Sequence, residues 1–342
     1  MQKTIFVIDD NDTNLSTAEA ALENQYRVIT LPSAQRMFTM LEKLKPNLIL
    51  LDIEMPDMDG FEALRRLKEN QTFSKIPVIF LTSRNDAKTE ARGFELGAVD
   101  FISKPFSAPV LLNRVKTHID IENLIYERTT KLERLQNGLI FILADLVESR
   151  DAATGGHIER TSKYLKILIE GIIEEGLYAD EVKGWDPEYL ALSARLHDVG
   201  KITVADSVLN KLGSLTHEEF ELIKAHAQAG EQIINKIIER TGDVPFLQNA
   251  KLFAGSHHER WDGSGYPYGL KDKAIPLQGR ILAIVDVYDA LLSPRRYQKP
   301  LSEDEVVKAI KDNAGKLFDP EIVIVFMKSK DKISMARKSE EK

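Results

Sequence analysis

The chain has 342 residues, which is too long for one ordinary domain and suits two. Hydrophobic residues make up 43% of it, charged residues 29% and aromatic residues 7%, a composition that excludes both a disordered and a membrane-embedded protein. The net charge of −7 offers no field for capturing nucleic acid, and the absence of cysteine excludes disulfides and cysteine nucleophiles. The apolar run at the start is too short for a secretory signal, so we expect a cytoplasmic protein that does not cross a membrane.

Short β-rich runs alternate with helical stretches over residues 1–120. The runs are Thr4–Ile8, Arg27–Leu31, Leu48–Leu51, Pro77–Thr82 and Asp100–Ile102. The third and fourth are almost entirely apolar, as strands buried on both faces of a parallel sheet are. The segments between the runs are long enough for crossover helices. The pattern therefore predicts a doubly wound α/β sheet built from βα units.

The carboxyl ends of these predicted strands carry acidic and polar residues. They are Asp9, Asp10, Asp52, Thr82 and Lys104. In a doubly wound sheet such residues meet at one edge, where three carboxylates repel each other unless a cation such as Mg²⁺ joins them. Asp52 would then be the nucleophile towards a phosphoryl donor, with Thr82 and Lys104 contacting the transferred oxygens. Each residue alone is more simply an ordinary loop residue, but their common placement at strand ends argues against that reading.

The strings that contain these residues closely resemble the receiver domain of bacterial response regulators. The resemblance covers residues 2–122 and rests on Asp9-Asp10, Leu51-Asp52-Ile53-Glu54-Met55-Pro56-Asp57-Met58-Asp59-Gly60, Thr82-Ser83 and Lys104-Pro105-Phe106. It implies a flavodoxin-like fold, Mg²⁺ held by Asp9, Asp10 and Asp52, and phosphorylation of Asp52 by a cognate histidine kinase. Phe101 stands where the family has its switch aromatic. With Thr82 it would move to accommodate the roughly −1.5 to −2 charge of the phosphoryl group.

A heptad pattern follows the predicted sheet. Steps of four and three residues connect Ile121, Ile125, Arg128, Leu132, Leu135, Leu139, Ile142 and Leu146, all apolar except Arg128. No proline interrupts the segment, so the pattern predicts one long helix. This helix either packs on its own domain or also pairs with a second copy of the chain to form a homodimer. Its position between two domains favours the second reading.

The remainder of the chain has a helical pattern. Candidate helices are His157–Glu175, Pro187–Val199, Thr216–Glu239 and Gln278–Leu292. Thr216 and Glu219 are spaced as a capping box for the third, and Gly200 is expected to end the second. The glycine- and proline-rich segment 263–269 excludes regular structure before the fourth. The polar tail after Lys328 is expected to fray.

Six of the seven histidines lie at or beyond His157. Five of them join two aspartates on inward helix faces or at helix ends: His157, His197, Asp198, His226, His257, His258 and Asp286. Asp286 lies in a very apolar helix, where a lone carboxylate would cost several kcal/mol unless it is paired or bound to a metal. Each histidine alone could be a hydrogen-bonded core residue, but the set indicates a metal cluster. Ligands without sulfur suit iron, manganese, nickel or zinc and do not select among them. His118 and His217 lack such neighbours and are expected to face solvent.

This constellation closely resembles the HD-GYP branch of the HD metal-dependent phosphohydrolases. Within residues 138–328 the matching strings are Thr154-Gly155-Gly156-His157-Ile158-Glu159-Arg160, His197-Asp198-Val199-Gly200-Lys201, His226-x-x-x-Gly230, His257-His258-Glu259-Arg260-Trp261-Asp262-Gly263-Ser264-Gly265-Tyr266-Pro267, Ile275-Pro276, Arg280 and Asp286-Val287-Tyr288-Asp289-Ala290-Leu291. The resemblance implies an all-α domain that hydrolyses cyclic di-GMP to pGpG or GMP.

A two-metal centre accounts for this ligand set, because two ions can share a hydroxide and clamp both oxygens of an in-line displacement. We expect the five histidines and two aspartates to be the ligands, with Asp198 as the bridging and catalytic carboxylate. Lys201 would neutralise the scissile phosphate. The loop residues Gly263, Gly265, Tyr266 and Pro267 are expected to border the substrate or to form an exposed docking site, with diguanylate cyclase domains as candidate partners.

The chain departs from the family pattern in three places, one of which is Leu212 where the family usually has a proline in the segment after the HD motif. Members with a third metal carry a glutamate four residues before the first histidine, where this chain has Ala153, so we expect two ions. The family's Arg-Pro-Tyr and basic residue read Arg295-Arg296-Tyr297-Gln298 here. Arg295 is retained for phosphate contact, but the displaced charge leaves the dinucleotide preference open.

The sequence thus predicts a multidomain chain that begins with a receiver domain at 1–122 and a coiled-coil-like linker helix at 123–146. An all-α HD-GYP domain at 147–330 and a polar tail at 331–342 follow. The favoured function is a phosphorylation-regulated cyclic di-GMP phosphodiesterase. Alternatives are a catalytically weak receptor for the dinucleotide or a partner, and a phosphodiesterase for another cyclic dinucleotide or phosphoester. A complete ligand set argues against a pure receptor, and the lack of a basic recognition helix argues against DNA binding.

Overall fold

The computed structural model describes residues 2–83, 87–150, 156–293 and 299–340. The chain divides into two compact units, Met1–Leu132 and Glu133–Lys342, and the division falls within the segment predicted as a linker helix. The first unit contains the strands β1 (Thr4–Ile8), β2 (Arg27–Leu31), β3 (Leu48–Asp52), β4 (Val78–Thr82) and β5 (Asp100–Ser103). Its helices are α1 (Asp12–Leu22), α2 (Ala34–Leu41), α3 (Gly60–Glu69), α4 (Ala87–Glu95) and the first part of α5 (Ala108–Glu148).

All five strands pair in parallel, in the order β2-β1-β3-β4-β5. Because strand side chains alternate between the two faces, Ile5 and Val7 pack with α1 and α5, whereas Phe6 and Ile8 pack with α2 and α3. Helices on both sides explain why the strands are apolar on both faces. The doubly wound α/β prediction is confirmed, and each predicted strand end lies within one residue of the observed one.

The second unit is helical. After α5 it contains α6 (His157–Glu174), α7 (Ala179–Val182), α8 (Pro187–Ala194), α9 (Asp206–Leu209), α10 (His217–Thr241), α11 (Pro245–Ser256), α12 (Leu277–Leu292), α13 (Glu303–Asp312) and α14 (Pro320–Glu340). Two 3₁₀ segments, Val199–Thr203 and Asp272–Ala274, connect longer helices. The larger core lies among α6, α8, α12 and α14, and a smaller one joins α10 and α11 to Ile140 of α5.

Local signals located the start of α10 correctly. The hydroxyl of Thr216 accepts from the backbone N–H of Glu219, and the Glu219 carboxylate accepts from the backbone N–H of Thr216. This reciprocal pair satisfies two donors that the helix itself leaves unpaired. The capping-box prediction is confirmed.

The predicted end of α8 at Val199 is wrong. The helix ends at Ala194, and the following backbone bonds reach back three residues instead of four, as from His197 to Ala194 and from Val199 to Leu196. Gly200 therefore does not cap α8. It lies in the 3₁₀ segment against α10, where an added Cβ would be 1.9 Å from the His226 carbonyl oxygen and 2.5 Å from the Gly230 nitrogen. Close backbone approach, and not helix termination, explains this glycine.

The tail that was expected to fray after Lys328 is instead helical. It continues α14 as far as Glu340, and Ile333 is fully buried in the larger core. Ile333 packs on this core, and the polar composition of the tail does not reveal such a tertiary contact.

The heptad positions of α5 are exposed to solvent. Their apolar members, Ile121, Ile125, Leu132, Leu135, Leu139, Ile142 and Leu146, have relative exposures of 46% to 65%. A different face of the helix, with Ile140, Ala144 and Val147, is the buried one. Packing of the heptad face on its own domain is therefore not found in the part of the chain that the structure describes.

None of the helices formed by the described residues combines the length and the apolar character needed to cross a bilayer.

Substitution of Gly200 by alanine tests the close approach of the 3₁₀ segment to α10. The added methyl group collides with the His226 carbonyl, so we expect the free energy of unfolding of the second unit to fall by about 1–3 kcal/mol, the usual cost of overpacking. Denaturant titration measures this change. Gly138→Ala is the matched control because no atom lies within 4 Å of its added Cβ, and an equal effect of both substitutions would contradict the explanation.

Candidate metal centres and family membership

The acidic residues predicted at the sheet edge lie together. One carboxylate oxygen from each of Asp9, Asp10 and Asp52 is within 4.8 Å of the others, with Asp9 and Asp52 buried and Asp10 exposed. The ammonium of Lys104 lies 2.7 Å from Asp9 Oδ2 and 2.8 Å from Asp52 Oδ1. Burial raises the pKa of Asp52 more than Lys104 lowers it, and Asp9 adds to the rise. Three carboxylates against one ammonium leave excess negative charge, which fits a divalent cation with oxygen ligands.

Thr82 and Phe101 lie on the neighbouring strands β4 and β5. Thr82 is buried at the end of β4, and Phe101 is buried in β5. The Phe101 ring packs between Phe80 and Phe94, at centroid distances of 5.4 Å and 5.0 Å. In this structure the aromatic predicted to switch occupies its inward position.

The second unit brings its seven predicted ligands together from separate helices. His157 begins α6, His197 and Asp198 link α8 to the 3₁₀ segment, His226 lies in α10, His257 and His258 follow α11, and Asp286 lies in α12. Two groups have ligand atoms within 4.8 Å of one another: His157, His197 and Asp198 form one, and His226, His257 and His258 the other. Packing alone makes these groups adjacent, since their members come from distant parts of the chain.

The carboxylate of Asp198 contacts both groups. Its Oδ1 lies 3.2 Å from His226 Nε2 and 3.8 Å from His257 Nε2, and its Oδ2 lies 3.3 Å from His197 Nε2. Lys201 Nζ is 2.8 Å from the same Oδ2. Burial opposes ionisation of Asp198, but Lys201 and His197 hold its pKa well below the ordinary value. One charged carboxylate thus offers an oxygen to each side of the cluster.

Four of the histidines are oriented alike. Each places Nδ1 against an oxygen: His157 against Asp289 Oδ2 at 2.8 Å, His197 against the Ala194 carbonyl at 2.9 Å, His226 against the Ile223 carbonyl at 2.6 Å and His257 against the Phe253 carbonyl at 3.0 Å. Because these oxygens only accept, Nδ1 carries the proton and donates. The opposite nitrogen, Nε2, is then directed into the cluster, which is the usual arrangement of metal-ligating histidines.

The inward nitrogens need a cation. His226 Nε2 and His257 Nε2 lie 3.3 Å apart, so two lone pairs face each other if both rings are neutral. His197 Nε2 is buried and makes no hydrogen bond, although Asp198 Oδ2 is 3.3 Å away. Unpaired buried acceptors are costly, and a metal ion relieves both conflicts. The donor set therefore fits divalent transition metals with nitrogen and oxygen ligands.

The pKa shifts of the histidines also fit a bound cation. Burial, together with the neighbouring His258, lowers the pKa of His257 well below its ordinary value, and burial lowers the pKa of His258 to about 4. Burial also opposes a charge on His157, but Asp286 and Asp289 outweigh it and raise the pKa of His157 to about 10. His257 and His258 are therefore neutral at neutral pH. The 3.3 Å contact between His157 Nε2 and Asp286 Oδ1 instead favours a positive charge between them, from a proton or from a metal ion.

Asp289 and Arg160 lie within the matching strings, but the sequence alone did not indicate a role for either residue in the candidate site. Asp289 is buried one turn after Asp286 on α12 and accepts from His157 Nδ1. Arg160 Nε and Nη2 donate to the two oxygens of Asp289 at 2.7 Å and 2.9 Å. This bidentate pair fixes the carboxylate that orients His157. The i,i+3 spacing of the two aspartates was the signal that could have identified Asp289.

The loop after α11 lies against the cluster. The ring of Tyr266 packs on His258 with a centroid distance of 4.7 Å, and its backbone N–H donates to the His258 carbonyl. Gly265 permits this approach, because an added Cβ would be 2.3 Å from the Arg260 nitrogen. Tyr266 and Pro267 are only partly exposed, so the expectation of an exposed pair is wrong. Stacking on a histidine, which spacing in the chain cannot show, explains the difference.

The remaining predicted residues have varied placements. Gly263 turns the loop with a φ of 83°. Arg295, Ala153 and the start of the first HD-GYP string lie outside the described residues. His217 is exposed as expected, but His118 is partly buried with Nε2 3.1 Å from Asp100 Oδ2, so the solvent-facing expectation for it is wrong. That partner lies in β5, and only the fold places it beside α5.

Comparison with known proteins identifies both units. Residues 5–116 match the family model of the response regulator receiver domain, and residues 142–322 match that of the HD domain, a fold of divalent-metal phosphohydrolases. The HD match covers more than half of the chain.

Three relatives match nearly the whole chain. A probable cyclic di-GMP phosphodiesterase of Vibrio cholerae is 38% identical over 95% of this chain and 77% of its own length. The cyclic di-GMP phosphodiesterase response regulator RpfG of Xanthomonas campestris is 32% identical over 95% and 87%. A cyclic di-GMP phosphodiesterase of Thermotoga maritima is 31% identical over 97% and 91%. The chain therefore belongs to the family of response regulators that join an N-terminal receiver domain to a C-terminal HD domain.

Proposed function

We propose that this protein is a phosphorylation-regulated phosphodiesterase that hydrolyses cyclic di-GMP to pGpG, GMP or both at a two-metal site. The observation that carries the proposal is the position of Asp198, whose two oxygens are directed at different histidine groups. A carboxylate in this position suits a pair of ions better than a single one. The names of three relatives that match nearly the whole of this chain support the choice of cyclic di-GMP as substrate.

Two divalent ions would be held by the five histidines with Asp198 and Asp286, a ligand set that suits iron, manganese, nickel and zinc alike. Bound ions supply charge stabilisation of the scissile phosphate and a water of lowered pKa. Lys201, 2.8 Å from Asp198, supplies a further positive charge beside the phosphate. Arg160 and Asp289 hold the His157 ring in orientation, and Tyr266 borders the substrate beside His258.

Other parts of the site have proposed roles that follow the family pattern. Arg295 is assigned to the second phosphate contact. The loop residues Gly263, Gly265 and Pro267 border the substrate, and the outer side of the loop is the candidate contact for diguanylate cyclase domains. The reaction takes place in the cytoplasm.

The receiver unit supplies the control. Asp52 accepts a phosphoryl group from a histidine kinase, with Mg²⁺ held by Asp9, Asp10 and Asp52. Lys104, already paired with Asp52 at 2.8 Å, contacts the transferred group, and Thr82 and Phe101 respond to it.

A second copy of the chain covers the exposed heptad face of α5. Seven apolar side chains with exposures of 46% to 65% lie on one face at coiled-coil spacing, and Arg128 interrupts this face between Ile125 and Leu132. Such a face is rarely left in water on a monomeric protein.

The Asp198→Ala substitution tests the bridging carboxylate. We expect hydrolysis of cyclic di-GMP by manganese-loaded protein to fall by more than about 100-fold, because loss of a ligand costs more than loss of an outer hydrogen-bond partner. Chromatography of the products measures pGpG and GMP directly. Asp180→Ala, at an exposed site on α7, should retain wild-type turnover. Turnover by metal-loaded Asp198→Ala protein would contradict the two-metal assignment, and tight binding without turnover by the wild type would favour the receptor alternative.

The Asp52→Ala substitution tests phosphorylation control. Addition of a small phosphodonor such as acetyl phosphate should change the hydrolysis rate of the wild type and leave that of the variant unchanged, because the only proposed acceptor is missing. Asp12→Ala removes an exposed carboxylate near the same sheet edge and should keep the response. An undiminished response in the Asp52 variant would show that phosphorylation acts elsewhere.

Polar substitutions on the heptad face test the homodimer. The double variant Leu132→Gln/Leu135→Gln should raise the dimer dissociation constant roughly tenfold or more, since each leucine contributes about 1.5–3 kcal/mol when buried. Sedimentation velocity measures the dissociation. Glu133→Gln/Arg134→Gln changes neighbouring exposed positions outside the heptad face and should leave it unaltered. Identical sedimentation of all three proteins would contradict pairing through this face.

A further inference from the structure

The N-terminus of α6 is capped from outside the helix. Its N-cap residue, Gly156, has no side chain that could accept from the first turn, where His157 is the first residue. The carboxylate of Glu148 takes this role: Oε1 accepts from the His157 backbone N–H at 2.7 Å and Oε2 accepts from the Ile158 N–H at 3.4 Å. A negative charge at this position also favours the positive end of the helix dipole. Glu148 therefore holds the backbone that carries a metal ligand.

Arg150 contacts the segment that follows Asp198. Its guanidinium donates to the carbonyls of Lys201 and Val204 at 3.2 Å and 2.9 Å and to Asp206 Oδ1 at 2.7 Å. The Arg150 carbonyl in turn accepts from Asn210 Nδ2 at 2.7 Å. These bonds immobilise the chain that begins at Asp198, the bridging carboxylate, and includes Lys201.

Both residues lie at or just beyond the end of α5. Glu148 is the last residue of the helix, Arg150 follows two residues later, and Ala144 and Val147 anchor the last turns in the second unit. One small cavity is lined jointly by Val147, Glu148, His157, Asp198 and Lys201, so the helix end borders the ligands directly. The same helix begins at Ala108, in the unit that contains Asp52.

We propose that Glu148 and Arg150 are positioning residues that form a two-sided clamp between the end of α5 and the metal cluster, through which displacement of α5 changes the spacing of His157 from Asp198 and Lys201. This inference rests on the proposed function and names the route by which phosphorylation would regulate it. A shift of α5 moves the start of α6 at His157 together with the backbone at Lys201, because Glu148 contacts the first and Arg150 the second. Metal sites are sensitive to such shifts, since ligands must stay within a few tenths of an ångström of their positions.

The test uses the full chain and two measurements. The affinity for Mn²⁺ is read from the electron paramagnetic resonance signal of the free ion, with and without beryllium fluoride as a phosphoryl mimic on the receiver. Hydrolysis of cyclic di-GMP is measured under the same two conditions. The variants are Glu148→Ala, Glu148→Gln, Arg150→Ala and Arg150→Lys. Asp145→Asn and Arg134→Gln, at exposed positions of the same helix, are the matched controls.

The expected result is a Mn²⁺ affinity about tenfold weaker in Glu148→Ala and Arg150→Ala, the scale of losing an outer hydrogen-bond partner of a metal ligand. Neither alanine variant should respond to beryllium fluoride, whereas both controls should match the wild type. Glu148→Gln should recover part of the affinity, because its amide oxygen still accepts from the His157 N–H. If an alanine variant does not fold by circular dichroism, Glu148→Gln or Arg150→Lys replaces it. The Mn²⁺ affinity and the response to beryllium fluoride are then compared between that variant and the wild type.

Folded alanine variants with Mn²⁺ affinity within twofold of the wild type and an undiminished response to beryllium fluoride would overturn the clamp. The proposed function can fail separately. A wild type that binds Mn²⁺ but does not hydrolyse cyclic di-GMP refutes the substrate, while the dependence of Mn²⁺ affinity on Glu148, Arg150 and beryllium fluoride still tests the clamp.

Discussion

The carboxylate of Asp198, placed between two groups of imidazoles, is the constraint on which the second unit depends. Its oxygens lie 3.2 Å from His226 and 3.3 Å from His197, and these residues come from separate helical segments. To bring them this close, α8 must end early and the 3₁₀ segment must lie directly on α10, which leaves no space for a side chain at Gly200. The interruption of regular helix at this point is therefore a consequence of the site, and a local departure from ideal structure is common where function requires it.

Three of the histidine rings are oriented by hydrogen bonds within their own segment, and His157 is oriented by a hydrogen bond to another helix. His197, His226 and His257 donate through Nδ1 to carbonyls three or four residues earlier in their own segment, so their ring positions are set locally. His157 begins its helix and has no preceding turn to donate to. A distant carboxylate, Asp289, takes that role and is itself fixed by Arg160. The ring of His157 thus depends on tertiary contacts from α12, and its backbone depends on the end of α5.

The candidate metal sites of the two units have similar charged residues. In each, an aspartate lies 2.8 Å from a lysine, Asp52 from Lys104 in the receiver and Asp198 from Lys201 in the HD domain, and in each the charges suit a divalent cation that meets a phosphorus-bound oxygen. What separates them is the rest of the ligand set: oxygen alone favours Mg²⁺, whereas imidazole favours transition metals. The helix α5 runs through both units, so the clamp proposed at its end gives the first site a physical route to the second.

Much of this molecule could be predicted from the sequence, because its signals are local. Apolar runs located the strands, Thr216 and Glu219 located the start of α10, and the residues that the fold brings into the candidate metal cluster were recognisable by type and spacing. The sequence did not predict where α8 ends, that the tail around Ile333 is helical or that Tyr266 packs on His258. Each of these features depends on a neighbour far away in the chain. The sequence by itself determined which donor atoms are present and that they contain no sulfur. Only the tertiary structure decided which nitrogens face inward, that Asp198 lies between two groups and that Asp289, Glu148 and Arg150 support them, because packing sets distances between residues remote in sequence.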